Sequence, residues 1–280
     1  MHSDSKKALI EDINSQLTGD SPQATQQQKT VLAHLMNRLP GSEAGLHSSA
    51  QWRAVVVNLT AFMQQRLPGQ VKIRVFNPNL ETHGWESART VIEIVNDDMP
   101  FLVDCIGMAL DEMEIAFQRI IHPVIRVERD PGGNILDIHD VDEHERGDAE
   151  SVMHVLIDRL SDQKQVDALI SRIEAGLEDA RCAVRDWRQM REQCEQLAEV
   201  IVGDNVPYDG DVRKDAAEFL RWLADDHFTF LGYREYRVKT KRGHPHLEAV
   251  AESGLGLLSK ASPNPSRRIA PLSEWGPESP

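Results

Sequence analysis

The sequence predicts an α+β protein, and three observations predict it. Apolar residues recur at helical spacing before Pro68 and again for about forty residues from Gln163. Between them, short β-branched runs and one helical stripe follow in the order strand, helix, strand, strand, helix. Asn, Asp, Pro and Gly fall at the joints, where chain reversals need them.

The first residues read as three amphipathic helices. Leu9, Ile13 and Leu17 share one face; Val31, Leu32, Leu35, Met36 and Leu39 form a second stripe; Trp52, Val55, Val56, Leu59, Phe62 and Met63 form a third. Pro40-Gly41 and Pro68-Gly69 stop the second and third, because proline lacks the helical N–H and glycine accepts positive φ. The region from Gly19 to Gln28 reads as the loosest loop of this lead-in.

After Gly69 the period changes. Val71, Ile73 and Val75 alternate with Lys72 and Arg74, a half-buried strand ending at Asn77-Pro78. Beyond His83-Gly84-Trp85, the apolar run Thr90 to Val95 predicts a buried strand. Leu102, Cys105, Ile106, Ala109, Leu110 and Met113 then predict a helix starting near Pro100. Phe117 to Val127 is a strand interrupted by Pro123, which places that point at an edge or a bulge. Asp130-Pro131-Gly132-Gly133-Asn134 is a turn, a polar loop follows, and Val152 to Ile157 is the next strand.

From Gln163 to about Val202 the helical stripe persists, a length of roughly 60 Å at 1.5 Å per residue, so a break or bend is expected near Gly176 to Cys182. Asp209 or Asp211 caps a further helix, which leads into an aromatic strand, Phe228 to Val238, and a turn at Arg242 to Pro245 before another strand around Leu247 to Val250. The Pro- and Ser-rich last twenty residues follow the start of a new strand-rich unit, as expected of a chain cut from a longer one. The expected organisation is a helical segment over 1–68, a sheet-and-helix domain over 69–181, a helical arm or linker over 182–226 and the beginning of a second β-rich domain over 227–280. The order of elements between Thr90 and Leu177 is a split β-α-β arrangement of ferredoxin-like type, with two helices on one face of an antiparallel sheet and the other face free to pair. Either Val71 to Val75 or the strand beginning at Phe228 supplies its fourth strand.

Composition narrows the partners. With 31 basic and 45 acidic side chains the net charge is −14, a field that repels nucleic acid. No signal-peptide run follows Met1 to Lys7, and no apolar stretch approaches the roughly 20 residues needed to span a bilayer. A cytoplasmic protein with no membrane contact is expected. Cys105, Cys182 and Cys194, odd in number and widely spaced, suit a reducing compartment and ordinary structural positions.

The chemistry-bearing motifs fail on inspection, so no catalytic, cofactor-binding or metal-ligating residue is assigned. In the loop Asp137 to Glu145, a calcium reading starting at Asp140 meets His144, Glu145 and Ser151 where the fifth, sixth and twelfth positions require an oxygen ligand, glycine and glutamate. Gly254-Leu-Gly256 lacks the third glycine of a dinucleotide fingerprint. Asp225-Asp226-His227 is read as a cap and turn. One loop has a ligand-binding logic: Asn96-Asp97-Asp98-Met99-Pro100-Phe101 joins a buried strand to a helix amino end, where unpaired N–H groups favour an anion such as a carboxylate. The competing reading is a plain turn capped by Asp97 or Asp98.

The run Val95 to Asp104 resembles the Asp-x-Pro-Gly-Leu-Leu turn of ACT domains, ferredoxin-like modules that bind amino acids at interfaces and regulate metabolic enzymes. His83-Gly84-Trp85, Asp97 to Asp104, His122-Pro123-Val124 and above all Phe219 to Tyr236 resemble the amino-terminal region of the large NAD-specific glutamate dehydrogenases of bacteria, a similarity running from about Lys29 to about Lys260. The resemblance implies a non-catalytic regulatory segment of an enzyme that oxidises glutamate to 2-oxoglutarate and ammonia, with NAD held in a distant catalytic domain. It also implies contact with the rest of the same polypeptide, homo-oligomer assembly and an amino-acid effector. A stand-alone amino-acid sensor and a purely structural oligomerisation module are the alternatives. Phe101 stands where the family turn has glycine, and its side chain is expected to fill the space that a ligand would enter.

Overall fold

The computed structural model describes residues 2–45, 47–140, 146–203, 208–241, 244–250 and 252–259. The chain divides into two compact units, residues 1–99 with 106–174, and residues 100–105 with 175–280.

Helices open the first unit: α1 (His2–Gln16), α2 (Pro22–Arg38), the single turn α3 (Gly41–Ala44) and α4 (Ser49–Met63). The region around Gly19 to Gln28 is largely helix, not loop. Ser21 caps α2 by accepting the Ala24 N–H and Pro22 occupies its first turn, so the run of glutamines continues a helix that apolar spacing alone did not reveal. Ser48 and Gln51 form a reciprocal capping box at the start of α4.

A six-stranded antiparallel sheet follows, made of β1 (Lys72–Phe76), β2 (Thr90–Asp97), β3 (Phe117–Ile121), β4 (Val124–Arg129), β5 (Ile135–Ile138) and β6 (Asp148–Ile157). The short helix α5 (Leu80–His83) lies between β1 and β2; Gly84 closes it at φ 71° and Trp85 is buried just beyond. The order across the sheet is β1, β2, β6, β4, β5, with β3 also paired to β6. β3 and β4 are one strand interrupted at His122-Pro123, as the proline predicts, and both lie along β6. The edge beside β2 is taken by β1, in the register Lys72 to Val95 through Phe76 to Val91. β5 is a strand inside the stretch expected to be a polar loop, since Ile135 and Ile138 turn into the core while Leu136 and Asp137 face out.

Both faces of the central strands are buried, so neither is free to pair. Val91 and Val95 of β2 and Val152 of β6 join α1, α2 and α4 in one core around Leu32, Leu35, Trp52, Leu59 and Met63. On the opposite face Ile92, Ile94, Met153 and Val155 are fully buried. One position breaks the apolar run: Glu93, 1% exposed, receives Arg74 and lies 3.0 Å from His154 Nδ1 across the strand pair. A buried carboxylate persists only when matched in this way.

The helix α6 (Leu102–Glu112) is followed, after the sheet, by α7 (Gln163–Val202), a single helix of 40 residues. Of the break or bend expected near Gly176 to Cys182, a break does not occur, since the helix is continuous there. Gly176 costs an interior helix only about 0.5–1 kcal/mol, too little to interrupt a helix whose flanking Ile173, Leu177 and Ala180 are buried. Its carbonyl accepts the Cys105 thiol at 3.3 Å.

The second unit adds α8 (Gly210–Trp222), a kinked turn over Leu223–His227 in which Asp225 and Asp226 leave helical backbone angles, and two small antiparallel pairs: β7 (Gly232–Tyr233) with β10 (Leu255–Gly256), and β8 (Tyr236–Lys241) with β9 (His244–Ala249). The aromatic strand expected over Phe228 to Val238 is therefore two short strands. Its two parts pair with different partners, Gly232–Tyr233 with β10 and Tyr236–Lys241 with β9, so the strand is interrupted between Tyr233 and Tyr236. Residues 242, 243 and 260–280, which include part of the expected turn and the Pro-rich end, lie outside the described residues.

Candidate functional site

The corner between β2 and α6 carries the six residues the sequence singled out. Asn96 is fully buried and its amide donates to the Asp97 carbonyl at 3.0 Å. The Asp97 carboxylate is engaged by Arg66 at 2.8 Å and by the Gly69 N–H at 2.8 Å. Asp98 turns to β6: its N–H donates to the Ala149 carbonyl and its carboxylate accepts the Ser151 hydroxyl at 2.7 Å, with His122 Nε2 2.9 Å from that same hydroxyl. Burial lowers the pKa of His122, against the pull of Asp98. Asp97 thus ties the corner to the segment between α4 and β1, and Asp98 ties it to β6. The Arg66 that reaches Asp97 carried no sequence signal, since it follows a helix stripe of unrelated apolar residues.

Pro100 and Phe101 take a different role. Phe101 adopts φ 72°, the left-handed region in which an L-residue is disfavoured by roughly 1–2 kcal/mol. Within the second unit these two residues line a cavity of about 440 Å³ together with Ala183, Val184, Trp187 and Arg191 of α7 and Ala224, Asp226, Phe228, Thr229 and Phe230. Four of the residues that line it, Phe101, Trp187, Phe228 and Phe230, are aromatic. Asp226 is left-handed too, at φ 56°, and its carboxylate lies 3.7 Å from Arg191, whose guanidinium sits 5.4 Å above the Trp187 ring. Two strained residues at one cavity are the kind of backbone outlier that motivates a functional reading. Phe101 as a residue is 36% exposed.

Phe101 gives a direct test. Alanine ordinarily outranks glycine in stability, but here alanine keeps the left-handed strain and loses the ring. Phe101→Gly is expected to be about 1 kcal/mol more stable than Phe101→Ala in chemical denaturation. Equal stabilities, or the usual order, would show that position 101 is unstrained in solution.

The remaining motifs serve structure. His139 is buried, 3.2 Å from Glu128, and its carbonyl accepts from His34. Residues 141–145 of that loop lie outside the described residues, and among the described residues no three His, Cys, Asp or Glu side chains gather as a metal cage would require. His227 stacks on Trp222 at 4.7 Å and meets its carbonyl, a turn contact. The three cysteines are free thiols; burial first, then Asp104 and Asp179, pushes the Cys105 thiol up to about 11, a poor nucleophile. No helix among the described residues is long and apolar enough to cross a membrane.

The cavity thus presents aromatic rings and, at Asp226 and Arg191, one acid and one base. Comparison with known proteins agrees with the resemblance of the motifs. Residues 31–173 match the family described as glutamate dehydrogenase, ACT1 domain. The NAD-specific glutamate dehydrogenase of Halomonas elongata is 34% identical over 210 residues, 74% of this chain and 13% of that protein. The protein of the same name from Pseudomonas aeruginosa is 31% identical over 189 residues, 67% of this chain and 12% of its own length. The one from Mycobacterium tuberculosis is 30% identical over 171 residues, 60% of this chain and 10% of its length. The matched region thus spans about an eighth of the Halomonas elongata protein. With the family match covering just over half of its residues, the chain belongs to the glutamate dehydrogenase ACT1 domain family.

Proposed function

We propose that this chain is a regulatory, non-catalytic segment of an NAD-dependent glutamate dehydrogenase, which deaminates L-glutamate oxidatively to 2-oxoglutarate and ammonia elsewhere in its polypeptide. In this reading the segment is cytoplasmic, assembles as a homo-oligomer and takes an amino acid as effector, while NAD is bound by the catalytic domain. Its sheet is a ferredoxin-like one in which β1 serves as the fourth strand and α6 and α7 cover one face. The strand order and the two contacts joining those helices, Arg172 to Glu112 and Cys105 to Gly176, support that layout. The observation that carries the functional reading is the β2–α6 corner: it ends in a left-handed residue facing an aromatic cavity with a charged rim. A side chain of the effector would enter the aromatic wall and its charged groups would meet Arg191 and Asp226.

Two measurements test this. The isolated chain is expected to form no NADH from glutamate and NAD; turnover would overturn the division of labour. Aspartate, arginine or glutamate is expected to raise its melting temperature, since a ligand at a hundred times its Kd adds about 2.7 kcal/mol. Exposed Phe219, Trp222, Phe228 and Leu231 favour a second reading, in which the same region is an interface with no effector. An oligomer by light scattering, with no amino acid shifting the melting temperature, would decide for it.

A further inference from the structure

One face of α8 turns apolar side chains to solvent. Val212, Phe219 and Trp222 recur at helical spacing on that face, and they are 56%, 58% and 49% exposed. Phe219 stacks on Trp222 with ring centroids 6.0 Å apart, and Trp222 stacks on His227 at 4.7 Å, a ladder of three nearly parallel rings. Asp211, Asp215 and Glu218 form the adjoining row, the i, i+4 and i+7 positions that lead to Trp222. Lys214 answers Asp211 at 3.8 Å, whereas Asp215 and Glu218 are exposed and have no ion-pair partner among the described residues. The neighbouring bases are engaged elsewhere: Arg213 donates to the Val202 and Gly203 carbonyls, and Arg221 borders a separate cleft with Glu195 and Glu199. None of the residues of this face lines the aromatic cavity.

Exposed rings beside unanswered carboxylates limit what can cover them. A ring face attracts a cation, and a guanidinium also stacks flat upon it. The same carboxylates repel nucleic acid and anionic lipid. They oppose a two-fold contact of the face with itself as well, because antiparallel pairing of two such helices sets each acidic row against its own copy. The stripe runs about 15 Å along α8 at 1.5 Å per residue, some three turns of a facing helix. We propose that this face docks an amphipathic, arginine-bearing helix of a separate protein. The apolar side chains of that helix cover Val212, Phe219 and Trp222, and its arginines meet Asp215, Glu218 and the ring faces. The proposal rests on the interface reading of this region given above and is independent of the effector cavity.

The probe is a fluorescein-labelled helical peptide composed of Leu, Ala and Arg, followed by anisotropy on the whole 280-residue chain, with a matched peptide carrying Glu in place of Arg. The arginine peptide is expected to bind saturably, one per chain, and at least about tenfold tighter than the glutamate peptide. Phe219→Ala with Trp222→Ala changes two half-exposed positions to a better helix former, so the melting temperature is expected to hold while binding weakens at least about tenfold. Asp215→Asn with Glu218→Gln keeps the rings and is expected to weaken binding about fivefold. A chain of net charge −14 attracts any cationic peptide, so Glu81→Gln with Glu86→Gln, which removes the same charge from exposed positions of the first unit, is the control and is expected to change nothing. No saturable binding, binding that both α8 pairs leave intact, or an equal loss in the Glu81 and Glu86 control would each overturn the proposal. So would a parent that self-associates and becomes monomeric on losing Phe219 and Trp222, which assigns the face to a second copy and leaves the interface reading standing.

Discussion

Replacing Glu150 by glutamine is expected to cost about 3–5 kcal/mol of folding stability, the loss seen when one member of a buried ion pair is removed. Glu150 is 1% exposed and holds two arginines that are almost as buried: Arg66 at 2.7 Å, and Arg129 by both carboxylate oxygens at 2.7 and 2.8 Å. Arg129 in turn donates to the carbonyls of Met63 and Gly133, and Arg66 reaches Asp97. The one carboxylate therefore neutralises the charges that join the end of α4, the β4–β5 turn and the corner after β2. Glutamine keeps the shape and leaves two guanidinium groups with half their compensation. Protection of the β2 and β6 amides in hydrogen exchange reports on this unit alone and measures the effect.

The same residue sets a pH dependence. Burial by itself raises the Glu150 pKa, and the hydrogen bonds and charges of Arg129 and Arg66 outweigh it, so that the group titrates below the ordinary 4.5. A carboxyl held lower in the folded state gives its full stabilisation above its unfolded value, and that stabilisation disappears as pH falls through the folded one. Stability of the parent is expected to drop as pH is lowered from about 4.5, the unfolded carboxyl value, and Glu150→Gln to drop less steeply there. Parallel profiles would show that the carboxylate is not held by its arginines.

The second large effect is expected at Gly133, where alanine should destabilise by about 2–5 kcal/mol. Gly133 has φ 82°, where an L-residue is disfavoured by roughly 1–2 kcal/mol. A Cβ there would lie 2.5 Å from the Arg66 carbonyl oxygen, and relief of that clash must move backbone, with an overpacking cost of about 1–3 kcal/mol. The displaced segment carries the Arg66 N–H to Gly133 carbonyl bond at 2.9 Å, so helix lead-in and sheet separate at the same point. Gly132→Ala is the control. Its Cβ would meet only the side chains of Asn134 and Asp130 at 3.2 Å, which can give way, and its φ is not in the left-handed region, so an effect under about 1 kcal/mol is expected. If both substitutions cost the same, the close approach of the turn to Arg66 is not real.

Local pattern carried far along this chain. The alternation of Val71, Ile73 and Val75 marks β1 to within a residue, and the β-branched run from Thr90 marks β2. Pro123 reports the interruption between β3 and β4, and the stripe of Leu102, Ile106, Ala109 and Leu110 reports the buried side of α6. Each of these follows from steric or solvent preferences within a few residues, which a sequence displays directly. The α+β class and the resemblance to the ACT region of the glutamate dehydrogenases rest on the same short-range information, and the family match agrees with it.

What the sequence left open depends on residues far apart in the chain. Two segments were equally able to flank β2; β1 takes the edge, and thereby delivers Arg74 to Glu93, a carboxylate that its apolar neighbours concealed. Gln27 and Gln28 looked like loop because their burial comes from packing against α4, not from their own hydrophobicity. Arg66, Arg129 and Glu150 are unremarkable in order, 63 and 21 positions apart, and become one ion cluster only once turn and strand close on the end of α4. Sequence determined where this chain folds back and which faces avoid water, because those are local choices. Only the tertiary structure decided which strand sits at the edge and which charges share a site, because pairing of buried groups is settled by whatever the rest of the chain brings to them.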